Sequence, residues 1–174
     1  LTFSVAKTYL ALLAGVAQAQ GLLPERDEPV VARVPGIGFD TAPNRSITWT
    51  MLLQQTSEWE GSCFGLPDTV DRNRKVGFDP QPPTGRKGDA RPLHAPGHYW
   101  EYNDVRINQL SLALLHLFGR PLPEVWRECV MRPIGASEGW AWRGYDDAWG
   151  ELSGRRMPSV PGGSSAPTSA HGTL

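Results

Sequence analysis

The sequence predicts an α+β fold that is mainly helical. Three observations carry this. Residues 5–20 are apolar or small on nearly every face. Residues 105–119, VRINQLSLALLHLFG, place Ile107, Leu110, Leu114 and Leu117 on one helical face. The aromatic-rich stretch GWAWRGYDDAW, residues 139–149, alternates in part, as a strand or hairpin does.

The first helix has the signals of a start and a stop. Thr2 or Ser4 is placed to cap it, and Gly21 stands where helices commonly end. The same residues also fit a secretory leader: Lys7, an apolar run, then Ala17-Gln18-Ala19 as a small-residue cleavage site. PVVARVP, 29–35, reads as a short extended stretch between prolines. In SITWTMLLQQTS, Ser46 reads as the cap of a short helix with Ile47, Met51 and Leu52 at helical spacing.

Regular structure then fades from 58 to 96. GFDPQPPTGRKGDARPLHAPG holds five prolines and four glycines, and a loop of that length in a domain is usually functional or mobile. Arg72, Arg74, Lys75, Arg86, Lys87 and Arg91 dot this region and read as a solvated face. Glu58 and Glu60 read as residues of a loop beside an active-site entrance. After Gly119 a second helix over PLPEVWRECVM is ended by Pro133.

The totals bound the function. The chain has 174 residues, room for one domain, and a formal net charge of -1. No basic excess points to nucleic acid and no polybasic block points to an anionic membrane. No apolar run reaches the ~18–20 residues of a stable membrane span. The partner expected is a small molecule or another protein. Cys63 and Cys129 form neither a disulfide framework nor a CxxC metal site, and read as free thiols. His94 and His98 are separated by Pro96 and Gly97, so they do not share a helix face, and no metal is expected.

Two short motifs carry chemistry. In Ser4-Val5-Ala6-Lys7 the serine and lysine lie one helical turn apart. A serine hydroxyl needs a nearby base or cation to act as a nucleophile, and a helix start favours the negative charge that develops. In PGHYWEYNDVRINQL a turn leads into a helix whose start carries Tyr102, Asn103 and Asp104. A tyrosine there can act as general base when a lysine stabilises its phenolate. Without that role, Asn103 or Asp104 is a helix cap.

The two motifs and the text between them resemble the serine beta-lactamase and penicillin-binding-protein superfamily. The nearest resemblance is to the class C beta-lactamase-related serine hydrolases, which include esterases and 6-aminohexanoate-dimer hydrolases. FSVAKTYLALLAGVAQAQGLL resembles the nucleophile helix, ITWTMLLQQTSEWEG the segment after it, PGHYWEYND the second motif, and LALLHLFGRPLPEVWRECVMRPIGAS the helices that follow. The match runs in order from Leu1 to Ser137. It implies a buried helix rather than a leader at the start.

The resemblance implies a beta-lactamase/transpeptidase-like α+β fold, here mainly its helical part with most of the antiparallel sheet missing. It implies Ser4 as the acyl-accepting nucleophile, Lys7 as its proton partner and Tyr102 as general base. Asn103 and Asp104 would contact the substrate, with Asp104 where the family usually has asparagine. No cofactor is implied. The family's third motif, KTG or a His-containing equivalent, has no clear counterpart, and His171-Gly172-Thr173 after Gly162-Gly163 is its nearest echo. Both ends read as cut: residues 1–157 as a partial domain and 158–174 as a Gly/Pro/Ser-rich tail. The expected function is hydrolysis of a beta-lactam, ester or amide through an acyl-enzyme, impaired by truncation. The alternative is a non-catalytic remnant or interaction fragment of the same fold.

Overall fold

In a computed structural model, residues 3–80, 83–143, 149–152 and 155–158 are described. The chain divides into two compact units, one of Leu1–Pro24 with Leu114–Leu174, the other of Glu25–Ala113.

The first unit opens with a 3-10 turn, Phe3–Val5, that runs into helix α1, Ala6–Ala19. Ser4 lies on that turn rather than at the cap. Val5 occupies the cap position, with no side-chain cap bond. Ala6, Leu10, Leu13, Ala14 and Ala17 of α1 are buried, while Val5 and Leu12 are exposed. The helix ends as its sequence requires. Gly21 takes φ +72°, which an L side chain rarely adopts, and its N–H donates to Gln18 O at 3.0 Å.

One later helix packs with α1 in this unit. Helix α4, Leu122–Trp126, follows Pro121, and the Trp126 ring meets Tyr9 with centroids 4.7 Å apart. The chain then widens into a π-helical turn, Arg127–Met131, and the Arg132 N–H reaches back to Arg127 O at 2.9 Å. Pro133, which has no N–H to extend the ladder, follows at once. Gln20 Nε2 donates to Cys129 Sγ at 3.4 Å. Strands β3, Trp149–Leu152, and β4, Arg155–Pro158, pair antiparallel with Gly150 opposite Met157. No strand forms in 139–143, and strand β3 as described takes in only Trp149 of the aromatic stretch. Residues 144–148 lie outside the described residues, as do Gly162-Gly163 and His171-Gly172-Thr173.

The second unit departs further from expectation. Only Pro29 of the 29–35 stretch is extended, bridging Thr48. The chain then turns through a 3-10 helix, Val30–Ala32, and Val34 N bonds Val30 O at 2.9 Å. A helical turn brings Val30 and Val34 to one face, and both are buried. Thr48, not Ser46, caps helix α2, Trp49–Leu53, its hydroxyl accepting from Met51 N at 3.3 Å. Ser46 already lies in the 3-10 turn Asn44–Ser46, while Thr48 has the extended backbone a cap needs.

Strands β1, Ser62–Cys63, and β2, Leu66–Pro67, form a second two-stranded ribbon. Phe64 and Gly65 between them have φ +53° and +76°, the left-handed pair that a two-residue hairpin turn demands. Trp59 is buried edge-on to Phe39, with centroids 4.9 Å apart. Gly38 lets it approach, since a Cβ there would stand 2.8 Å from Trp59 Cη2. Cys63 is buried, which pushes its thiol pKa up to about 12 and leaves it unreactive. Helix α3, Asp104–Phe118, contributes residues to both units and ends at Gly119, φ +65°. Among the described residues, no helix is long and apolar enough to cross a membrane.

Candidate active site

The serine and lysine of the first motif meet. Lys7 Nζ donates to Ser4 Oγ at 3.2 Å. The 3-10 turn and the first turn of α1 supply the spacing, and Ser4 is exposed while Lys7 is half-buried. A hydroxyl beside an amine is one of the arrangements in which a serine can be activated as a nucleophile.

The second motif lies at the start of α3. Tyr102 is half-buried, with the Arg74 guanidinium carbon 5.4 Å from its ring centroid. Asp104 Oδ2 accepts from Arg74 Nη1 at 3.1 Å, and its backbone N–H donates to Asp71 Oδ2 at 2.9 Å. Arg74 also holds Asp71 at 2.7 Å. These contacts raise the Arg74 pKa against the burial that would lower it.

Asn103 is fully buried and caps the helix. Its Oδ1 accepts from Val105 N at 3.0 Å and Arg106 N at 3.3 Å, and its Nδ2 donates to Asp68 O at 3.2 Å. Its own N–H donates to Gln55 Oε1 at 2.8 Å. The side chain expected at the substrate is thus engaged in the fold. Asn103→Ala is expected to cost about 1–2 kcal/mol, the range for a lost cap. A thermal melt would read this as a drop of several degrees. An unchanged melting temperature would remove the capping role.

Behind this helix start lies a cluster that reading the sequence did not foresee. Arg106 is fully buried, and its guanidinium holds three carboxylates: Glu58 at 2.9 Å, Asp68 at 3.3 Å and Glu101 at 3.5 Å. Arg91 grips Glu58 with both terminal nitrogens, at 2.9 and 2.6 Å, and touches Glu101 at 3.3 Å. Arg72 pairs with Asp68 at 2.9 Å. Arg72, Arg74 and Arg91 are therefore not a solvated face, and Glu58 is not on an open loop. A Gly/Pro-rich segment has few apolar side chains to bury, and here charge pairing supplies the interior.

The carboxylates respond differently. Burial alone would raise the Glu58 pKa, but the Arg91 hydrogen bonds, the Arg106 charge and the His94 N–H at 2.7 Å hold it at about 2. Burial prevails at Asp68 and pushes it above the usual range despite Arg106. Glu58 of the cluster and two residues bordering it, Gln55 and Asn73, have φ of +48°, +58° and +59°. Such backbone persists only where contacts over-determine it. Gln55 O accepts from Arg106 Nη1 at 3.3 Å, and Asn73 N donates to Glu101 Oε1 at 2.8 Å. The cluster could have been suspected from Asp68 and Arg72, four residues apart within a segment rich in both signs of charge. Among the described residues, no group of three or more His, Cys, Asp or Glu side chains is placed to hold a metal ion.

Ser4 and Lys7 thus pair in a chain whose described residues form helices and two two-stranded antiparallel ribbons. The family model described as Beta-lactamase matches residues 1–164, and the chain belongs to the Beta-lactamase family, within the serine beta-lactamase and penicillin-binding-protein superfamily. No curated protein matches it.

Proposed function

We propose that the protein is an acyl-transfer hydrolase with Ser4 as nucleophile and a beta-lactam, ester or amide as substrate. The observation that carries this is the 3.2 Å contact from Lys7 Nζ to Ser4 Oγ. Family membership supports serine hydrolysis in general.

Ser4 Oγ bonds to the substrate carbonyl carbon while its proton passes to Lys7, acting in its amine form. The carbonyl oxygen becomes an oxyanion stabilised by backbone N–H groups, Ser4's own among them. The tetrahedral centre collapses, the carbonyl–heteroatom bond breaks, and the leaving group takes the proton. Water then attacks the Ser4 ester and gives up a proton to the base, the bond from Ser4 Oγ to the carbonyl carbon breaks, Oγ takes the proton back, and the acid is released. Tyr102 is the general base of the second motif, a role that rests on the motif's resemblance. Asn103 is the helix cap, which leaves Asp104 as that motif's polar group for the substrate.

The test is covalent. The protein incubated with a slowly hydrolysed beta-lactam or an activated ester should gain the mass of one acyl group. Peptide mapping should place it on the segment that contains Ser4. Tyr102→Phe should slow loss of that adduct by about 10²–10⁴-fold if the phenol serves deacylation. A label elsewhere, or no label, would favour a non-catalytic member of the fold.

A further inference from the structure

Gln55 stands where a helix ending of its kind normally has glycine. Helix α2 closes with the Gln55 N–H on Leu52 O at 3.2 Å and the Thr56 N–H on Met51 O at 2.9 Å. An ending with this pair of bonds puts the residue at position 55 in the left-handed region, and Gln55 has φ +58°. Glycine adopts that backbone freely, whereas an L side chain is strained there. What the glutamine holds gives a reason for its presence.

It holds the second motif. Gln55 Oε1 accepts from Asn103 N at 2.8 Å, and Gln55 O accepts from Glu101 N at 3.4 Å. The two donors flank Tyr102. Glu101 and Asn103 are buried while Tyr102 is half-buried, which is the alternation of an extended chain. Residues two apart in such a chain point their N–H groups the same way, and Gln55 takes both. Gln55 is itself anchored, because its O also accepts from Arg106 Nη1 at 3.3 Å. The main chain on either side of Tyr102 is thereby tied to the end of α2 and to the buried guanidinium.

We propose that Gln55 is a positioning residue for Tyr102, fixing the place from which the phenol acts when the acyl-enzyme is hydrolysed. This rests on the reading of Tyr102 as general base. Gln55 takes no proton and acts through where Tyr102 stands. A catalytic group works at full rate only when its supporting partners hold it to a fraction of an ångström.

The test separates gain of the Ser4 adduct from its loss, both followed by mass in the whole chain with p-nitrophenyl acetate. Gln55→Gly removes the side chain but suits the left-handed backbone, so its melting temperature should stay within about 3 °C of the parent. Its acyl gain should hold within about twofold, because that step uses Lys7. Its adduct loss should slow about 10–100-fold, the cost of a misplaced catalytic group. Gln55→Glu keeps an acceptor oxygen for the Asn103 N–H and should recover most of the lost rate. Amide hydrogen exchange at Asn103 reads the clamp without turnover, and should be faster in Gln55→Gly and parent-like in Gln55→Glu. Adduct loss at the parent rate in Gln55→Gly, with Tyr102→Phe slow, would overturn the proposal and leave the base reading standing. So would an equal fall in gain and loss, or no recovery in Gln55→Glu. Adduct loss at the parent rate in Tyr102→Phe, or no adduct on the parent, would instead remove the base reading, and the proposal with it.

Discussion

Arg106→Ala is expected to destabilise the protein by about 3–5 kcal/mol, the cost of stripping one partner from a buried ion cluster. The guanidinium is fully buried and faces Glu58, Asp68 and Glu101 within 3.5 Å. Its removal leaves Arg91 and Arg72 to balance three buried carboxylates. Coulomb repulsion among them then meets no central cation, and each carboxylate keeps its desolvation cost. Typical domains have only about 5–15 kcal/mol in total, so the loss is a large part of the whole. Urea unfolding of both proteins measures it. Arg106→Lys should fall between them, because an ammonium keeps the charge but not the fork. A loss below about 1 kcal/mol for Arg106→Ala would show that the cluster adds little.

Ser4→Ala is expected to lower kcat/KM for a chromogenic ester or cephalosporin by about 10⁴-fold or more, as loss of a covalent nucleophile does. Lys7→Met should cost about 10²–10⁴-fold, the range for a general acid–base group. The double variant should be little worse than Ser4→Ala, because the two side chains act in one step. Ser4 is exposed on the turn that precedes α1, so the far-UV melt should not move. Turnover that survives Ser4→Ala would remove the nucleophile from this position.

Local signals explain what the sequence revealed. α1 and α3 were legible because helical spacing and a terminal glycine act within a few residues. Ser4 and Lys7 were legible for the same reason, since three residues place two side chains one turn apart. Ser46 misled because it and Thr48 are both capping residue types, and only the backbone decides between them. The cluster around Arg106 was not legible. Its contact to Glu58 joins residues 48 apart and that to Asp68 residues 38 apart. No periodicity links such positions, and a Gly/Pro-rich stretch with mixed charge looks the same whether solvated or folded inward. Asn103 belonged to a motif read for chemistry with a helix cap, at Asn103 or Asp104, as the alternative, and the start of α3 gives the cap to Asn103.

The reach of Arg106 also makes the middle of the chain indivisible. Its partners are drawn from positions 58, 68 and 101 and close on a single guanidinium. A segment shortened from either side to exclude Arg106 or Glu58 would strand a buried charge rather than trim a loop. Nicking by a protease between residues 58 and 106 should therefore leave two pieces that stay associated under native conditions and separate only in denaturant.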